Sequence, residues 1–296
     1  MSTARRWSRA PIGPLAVVGV GQIGGSVALA ARAAGAVTEV VGWGRNAETL
    51  ERARALGIID RIAPARADVA RGAALVVLAT PVRSLGEIAR ELAPALEAGA
   101  IVFDVGSVKV NAIREVERHL PEGAFVACHP IAGTERNGPD AASPLLFEGK
   151  PCVICPSAGS REEAVATIEG LWTAMGAEPV RMDAALHDRV MGAGSHLPHV
   201  AAYTLAGVLA GLDAELARGL VRLPTSSLRD TTRVAASSPA MWRDILIDNR
   251  DQLVPLIEKL AANLEALRAA VAAGDAARIE AILSEGKSGR DRIIPS

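Results

Sequence analysis

Four stretches of this chain concentrate side chains that move protons or hold anions. Cys128-His129-Pro130-Ile131-Ala132-Gly133-Thr134-Glu135 offers an imidazole, a hydroxyl and a carboxylate. Asp104-Val105-Gly106-Ser107-Val108-Lys109 adds a second hydroxyl and an ammonium. Ser195-His196-Leu197-Pro198-His199 carries two imidazoles three residues apart, a spacing that lets them share a helix face. Arg229-Asp230-Thr231-Thr232-Arg233 reads as a helical turn with Arg229 and Arg233 on one face and Asp230 beside Arg233. Imidazole suits proton transfer near neutral pH, and guanidinium meets a carboxylate with a fixed fork of donors. Together these types fit proton abstraction from a small anionic substrate. Seen alone, His129 could be an ordinary hydrogen-bonded loop histidine; its company argues otherwise. His196 and His199 lack a third ligand and the H-E-x-x-H spacing, so no metal is expected.

These residues need a scaffold, and the chain supplies one. Leu15 to Gly19 is a continuous apolar run that enters Gly19-Val20-Gly21-Gln22-Ile23-Gly24 and then an Ala-rich helix over 26–34. G-x-G-x-x-G between a strand and a helix permits a tight turn, close approach of backbone to a pyrophosphate, and close helix–sheet packing. Further apolar strands are expected at 39–42, 74–79, 100–104, 124–128, 151–155 and 178–181, with helices at 47–56, 85–96, 110–120 and 161–175. Alternation of this kind predicts a Rossmann-type doubly wound parallel sheet covered on both faces, with ligands beyond the carboxyl ends of its strands. His129, Ser107 and Thr80-Pro81 all follow such strands. From Asp183 onward strand signals stop and apolar residues recur at helical spacing. The expected organisation is a dinucleotide-binding domain over 1–182 and an all-helical second domain over 183–296.

The tip of the second strand bears on the cofactor. It reads Val41-Gly42-Trp43-Gly44-Arg45-Asn46. Gly44 stands where NAD enzymes carry a carboxylate for the ribose 2′-hydroxyl, and Arg45 follows as a partner for a 2′-phosphate. NADP is favoured on these grounds. NAD is the alternative, with Arg45 stacking on the adenine. Arg45, Asn46, Thr80 and Pro81 join Gly19, Gly21, Gln22, Ile23 and Gly24 as candidate cofactor-binding residues.

Bulk properties narrow the class. With 296 residues, 50% of them hydrophobic, and a net charge of -1, the chain has material for two globular domains and no basic patch for nucleic acid. Three cysteines make no disulfide framework and suit a reducing cytoplasm. Cys152 and Cys155 lie in a strand, where a spacing of three points them to opposite faces. No apolar signal core follows Arg5, Arg6 and Arg9. The apolar stretch 197–212 is too short to span a membrane and reads as a buried helix.

His-Pro-Ile-Ala-Gly-Thr-Glu at 129–135, Asp-x-Gly-Ser-x-Lys at 104–109, Ser-His-Leu-Pro-His at 195–199 and Arg-Asp-Thr-Thr-Arg at 229–233 together resemble the prephenate/arogenate (cyclohexadienyl) dehydrogenases, in order and spacing from Val17 to about Glu258. The resemblance implies oxidative decarboxylation of prephenate or arogenate with hydride transfer to NAD(P), in tyrosine biosynthesis. It implies a small-molecule substrate and a homodimer through the helical domain, to which it assigns substrate binding and dimerisation. His129 would take the ring-hydroxyl proton and Ser107 would hold that hydroxyl. Arg233 would bind a substrate carboxylate. His196, His199, Glu135 and Thr134 would line the pocket, with Asp230 and Trp242 in support. Gly44 departs from the acid of NAD-using members, and Arg229 stands where some relatives carry lysine. No chorismate mutase segment or regulatory domain is expected, so any tyrosine feedback would act at the active site. A β-hydroxyacid-type dehydrogenase would share the architecture but rely on a lysine in the helical half, where only the late Lys259 and Lys287 occur. A non-catalytic NADP-binding sensor would leave His129, Ser107 and Arg233 without a task.

Overall fold

The computed structural model describes residues 7–134, 136–223 and 225–294; Arg5 and Arg6 lie outside them. The first half alternates strands and helices: β1 (Gly13–Val18), α1 (Gln22–Ala33), β2 (Val37–Trp43), α2 (Ala47–Ala55), β3 (Arg61–Ile62), β4 (Leu75–Leu78), α3 (Leu85–Leu92), β5 (Ile101–Asp104), α4 (Val110–Glu117), β6 (Phe125–Pro130), β7 (Pro151–Cys155), α5 (Glu162–Ala174) and β8 (Glu178–Arg181). They form one sheet in the order β3-β2-β1-β4-β5-β6-β7-β8. The order turns back on itself between β1 and β4, the switch point where such sheets open a crevice.

Strand residues feed two cores alternately, as the two-residue period requires. Leu15, Val17, Leu75, Val77 and Phe103 face α1 and α5, where Val27 and Trp172 are fully buried. Ala16, Val18, Val76, Leu78 and Val102 face α3 and α4, with Leu85 and Val116. Cys152 joins the first core and Cys155 the second, so the pair does point to opposite faces. All three thiols are free and buried, and burial pushes the Cys155 thiol up to about 12.

The sheet is not wholly parallel as expected. β3 through β6 are parallel neighbours, but β7 runs antiparallel to β6, with Cys128 opposite Ile154 and His129 opposite Val153. β8 is parallel to β7. A parallel neighbour needs a crossover, usually a helix. Among the described residues between Pro130 and Pro151 there is only a 3-10 turn, Pro139–Ala141, so the chain returns antiparallel. The two-residue edge strand β3 was too short to leave a sequence signal.

The remainder is helical, as the change of texture at Asp183 implied: α6 (Ala184–Met191), a π-helical segment (Gly192–His196), α7 (Leu197–Ala210), α8 (Ala214–Arg222), α9 (Ser226–Thr232), α10 (Pro239–Asp248), α11 (Arg250–Ala273) and α12 (Ala276–Ile293). The elements through Asn249 form one compact unit with the sheet. Arg250 onward forms a second unit, in which α11 and α12 make a helical hairpin. Its turn uses Gly274 at φ +66, and Asp275 accepts from the Arg278 N–H to cap α12. The helix expected around Pro198 is interrupted, because proline cannot donate to the preceding turn and Gly192 and Gly194 resist little. Nor is α7 a buried helix. Only Ala202 is fully buried, and Leu205 and Val208 are exposed. Among the described residues, no helix is long and apolar enough to cross a membrane.

One buried ion pair fixes the sheet edge. Asp104 and Lys109 are fully buried, with Nζ 2.5 Å from Oδ2. Nζ also donates to the Cys128 carbonyl at 2.6 Å, and Asp104 Oδ1 accepts from the Cys128 N–H at 2.9 Å. The ammonium expected at the ligand edge is therefore used within the protein. Lys109→Met strands a buried carboxylate, and we expect a loss of about 3–5 kcal/mol in urea unfolding. Adding Asp104→Asn should recover part of it. A single variant as stable as the parent would remove the pair from this role.

Candidate active site

At the first crevice wall, β1 ends in Gly19 at φ +99, a conformation that favours glycine. A Cβ there would lie 2.5 Å from the Ala79 carbonyl oxygen. A Cβ on Gly24 would collide with the Gly19 carbonyl oxygen. Around Gly21 a Cβ would meet nothing within 4 Å. The first and third glycines are thus required by packing, and the second leaves open space above the helix start. Gly21 caps α1 without a side chain, and no acidic residue occupies the first turn. The helix's opening N–H groups remain free for an anion. These residues fit a dinucleotide pyrophosphate.

Gln22 is tied to the loop that follows β6. Its amide nitrogen donates to Thr134 Oγ1 at 2.7 Å, and its carbonyl oxygen accepts from the Thr134 N–H at 3.0 Å. Gly133 lies against Ile23: a Cβ on it would be 3.3 Å from Ile23 Cδ1. At the tip of β2, Arg45 is exposed. Asn46 accepts from the Thr49 N–H at 2.9 Å and caps α2. A Cβ at Gly44 would make only ordinary contact, 3.5 Å from Leu50 Cδ2. Thr80 Oγ1 accepts from Ser84 Oγ at 3.0 Å, just beyond β4.

His129 is the penultimate residue of β6 and is half-buried. Its Nδ1 lies 2.8 Å from His187 Nε2. His187 Nδ1 lies 2.8 Å from Asp188 Oδ1. Asp188 is itself gripped at the start of α4, accepting from the Lys109 N–H at 2.8 Å and the Val110 N–H at 3.0 Å. Burial, then His187, Lys109 and His196, hold the His129 imidazole well below its usual range. His129 is therefore neutral at pH 7, the state a base requires.

His196 is buried and pushed down to about 4 by burial. Asn249 Nδ2 donates to the Asp188 carbonyl at 2.8 Å and lies 2.9 Å from His196 Nδ1. That amide nitrogen can only donate, so His196 Nδ1 accepts and its proton sits on Nε2. Nε2–H is a buried donor with no partner among the described residues. His196 is thus held as a donor and cannot act as a base through either nitrogen. His199 donates from Nδ1 to the Ser195 carbonyl at 2.9 Å and stacks on Trp242 with centroids 3.6 Å apart. His196 meets the same ring edge-on at 5.8 Å.

The structure therefore brings His129, His196, His199 and Trp242 into one connected cluster. Val108 packs with Trp242 and Ile245, which sets the half-buried Ser107 beside it. Arg233 lies near enough to lower the His199 imidazole electrostatically, after burial. It is not on the α9 face expected from the sequence. α9 ends at Thr232, and Arg233 opens a 3-10 turn, Arg233–Ala236. That turn is tied to α7 through Tyr203, whose hydroxyl donates to the Ser237 carbonyl at 2.6 Å. Asp230 and Arg229 are exposed on α9. Glu135 lies outside the described residues. No group of three or more His, Cys, Asp or Glu among the described residues could hold a metal ion.

Sequence reading missed His187, Asp188 and Asn249. The buried residues of α6 are His187 and Asp188, both polar, the reverse of the apolar face a helix usually hides. The available signal was a His-Asp dipeptide just after the last strand, in a chain with five histidines.

Family models agree with this architecture. Residues 27–181 match the prephenate dehydrogenase nucleotide-binding domain, and 183–285 match the prephenate dehydrogenase dimerization domain. The chain is 40% identical over 261 residues to the cyclohexadienyl dehydrogenase of Zymomonas mobilis, covering 88% of this chain and 89% of that protein. It is 33% identical over 280 residues to the prephenate dehydrogenase of Bacillus subtilis, covering 94% of this chain and 75% of that one. Prephenate dehydrogenase from A. aeolicus, solved in complex with hydroxyphenyl propionate and NAD+, superposes with a TM-score of 0.86 at 34% identity, covering 97% of this chain and 100% of that chain.

The glycine geometry yields a direct test. Gly24→Ala must push α1 off β1, so dinucleotide affinity should fall at least about tenfold, or 1.4 kcal/mol, in calorimetric titration. Unchanged affinity would separate the cradle from cofactor binding.

Proposed function

The chain belongs to the prephenate dehydrogenase family, and from that premise we propose how its own residues carry the reaction. The reaction is the oxidative decarboxylation of prephenate with NAD(P), in tyrosine biosynthesis. When bound, the nicotinamide supplies the hydride acceptor. We assign the remaining work to the cluster above. His129 Nε2 takes the proton of the ring hydroxyl, so the carbonyl develops as hydride leaves the same carbon. The ring carboxylate then leaves as carbon dioxide, and its bonding pair completes the aromatic ring. No covalent nucleophile is needed. Ser107 holds the hydroxyl beside His129. Arg233 meets a substrate carboxylate with its fork, near His199. His196 offers its Nε2–H to the substrate, and His199, Thr134 and Glu135 line the pocket with Asp230 in support. The observation that carries this reading is His129 at the carboxyl edge of the sheet, 2.8 Å from His187 within a histidine cluster, with the loop after it bonded to Gln22 of the glycine cradle.

We infer NADP as the preferred cofactor. The support is the same as in the sequence: no carboxylate at Gly44, and an exposed guanidinium at Arg45. We also infer a homodimer through the helical region. The match to a dimerization domain supports it, as do the exposed Leu205 and Val208 on α7 and Leu216 and Val221 on α8.

Absorbance at 340 nm, with prephenate or arogenate against NAD or NADP, tests activity and both specificities. Signal with NADP above NAD is the expected result. Silence in all four combinations from folded protein would favour another two-domain hydride enzyme. His129→Asn should lower kcat at least about hundredfold with KM little changed. The sign of the pH dependence follows from a lowered imidazole. His129 stays neutral through pH 7, so kcat/KM should be level there and fall only on the acid side, with a midpoint below 6.5. A midpoint above 6.5, or full turnover in His129→Asn, would remove His129 from the role.

Gly44→Asp with Arg45→Ala should shift preference toward NAD by at least about tenfold, since the Cβ fits and one charge pairing is lost. An unmoved ratio of kcat/KM values would overturn the NADP inference.

A further inference from the structure

The line of groups behind His129 has a direction. A carboxylate can only accept, so the proton between Asp188 Oδ1 and His187 Nδ1 belongs to His187. Neutral His187 then presents a lone pair at Nε2. The proton in the next bond must sit on His129 Nδ1. Neutral His129 is left with its lone pair on Nε2, the nitrogen that this line does not use. Asp188, two side chains away, thus dictates the tautomer of His129. Its carboxylate is in turn fixed by two backbone N–H groups at the start of α4. Asp188 satisfies the two N–H groups that open α4, whereas the His129–His187 contact satisfies no backbone group.

We propose that His187 and Asp188 are positioning residues that set His129 as a base at Nε2 and receive the charge it acquires. As Nε2 takes the substrate hydroxyl proton, the Nδ1 proton of His129 moves to His187 Nε2. One proton enters the line and none leaves. The positive charge comes to rest on His187, 2.8 Å from the Asp188 carboxylate, instead of on His129, which also faces the Lys109 ammonium. Asp188 stays ionised throughout. As carbon dioxide leaves and the ring oxygen becomes a phenolate, the proton on His187 Nε2 returns to His129 Nδ1 and His129 Nε2 gives its proton to that oxygen, which resets the line. This inference rests on His129 being the base.

The test is steady-state kinetics of the full-length enzyme with prephenate and NAD(P) across pH. Four variants are needed: His187→Leu, His187→Gln, His129→Asn and the His129→Asn/His187→Leu double. The titratable and charged groups around the relay are Asp188 on α6, Asp104 and Lys109 at the β5 end, and His196 in the π-helical segment, all unchanged in these variants. His187→Leu should lower kcat about hundredfold, the scale of a misdirected base, while KM values stay within about twofold. Its acid limb of kcat/KM should move. His187→Gln can accept from His129 Nδ1 and donate to Asp188, but takes no proton. It should recover part of kcat, to within about tenfold of the parent. The double variant should be no slower than His129→Asn alone, because His187 acts through His129. Parental kcat and pH profile in both His187 variants, with His129→Asn slow, would overturn the relay and leave the base in place. Losses that multiply in the double variant would also overturn it. Parental kcat in His129→Asn would instead reject the base assignment itself. If His187→Leu fails to fold, His187→Gln decides alone: a parental kcat and pH profile there rejects the relay.

Discussion

The buried Asp104–Lys109 pair is the constraint on which the His129 edge of the sheet depends. Backbone pairing between β5 and β6 is given by Val102 with Phe125 and Phe103 with Val126. Beyond that, the strands separate toward the crevice, and side chains take over from the backbone. Asp104 accepts the Cys128 N–H that a ladder carbonyl would have taken, and Lys109 donates to the Cys128 carbonyl. Both backbone polar groups of Cys128, the residue before His129, are thereby satisfied. A buried charge pair is seldom a net source of stability against an apolar alternative. What this one supplies is position: it fixes the backbone from which His129 projects, and it brings Lys109 to the start of α4, where its own N–H reaches Asp188.

Charge management continues outward from that pair. His129 and His196 are held neutral, first of all by burial. The nearby ammonium of Lys109 is neutralised by Asp104. Asn249 fixes the tautomer of His196 as a donor, and Asp188 fixes that of His187 as a donor toward itself. The two histidines therefore keep opposite capacities on Nε2: His129 an acceptor, His196 a donor. An oxidation that begins with a hydroxyl proton needs the first, and the polar groups of an anionic substrate can use the second. One network of backbone and side-chain hydrogen bonds specifies both, so neither depends on a metal ligand or a mobile loop for its protonation state.

Much of this was legible in the sequence, for identifiable reasons. The glycine run between an apolar strand and an Ala-rich helix has few readings, and Gly19 and Gly24 stand where a Cβ would strike backbone oxygen. His129 was found because it follows a strand. The direction of β7 was misread because strand composition carries no direction; the missing crossover helix between Pro130 and Pro151 held that information. His187 and Asp188 stayed hidden because their burial is set by which face of α6 meets the sheet, and hydrophobic periodicity does not report a polar buried face. The uncovered flank of α7 has a similar cause. Its composition announces that it will be buried without saying whether by its own chain.

The antiparallel return that the sequence concealed also explains why this histidine is well placed as a base. A residue at the free end of a parallel strand ordinarily enters a loop and inherits its motion. Here β6 continues in register with β7 through His129 opposite Val153 and Pro130 opposite Cys152, and the Ile131 N–H donates to the Pro151 carbonyl at 2.8 Å. His129 is thus inside a paired strand, with β5 side chains on one flank and a β7 backbone on the other. Proton transfer over hydrogen-bond distance tolerates little displacement. Holding Nδ1 at 2.8 Å from His187 requires that both strand and helix be rigid, and it is the β7 return that makes the strand so at this point. After Ile131 the chain leaves the ladder, and Thr134 and Gln22 meet through two exposed hydrogen bonds. The fold thus holds His129 by backbone pairing and the residues after Ile131 by side-chain hydrogen bonds.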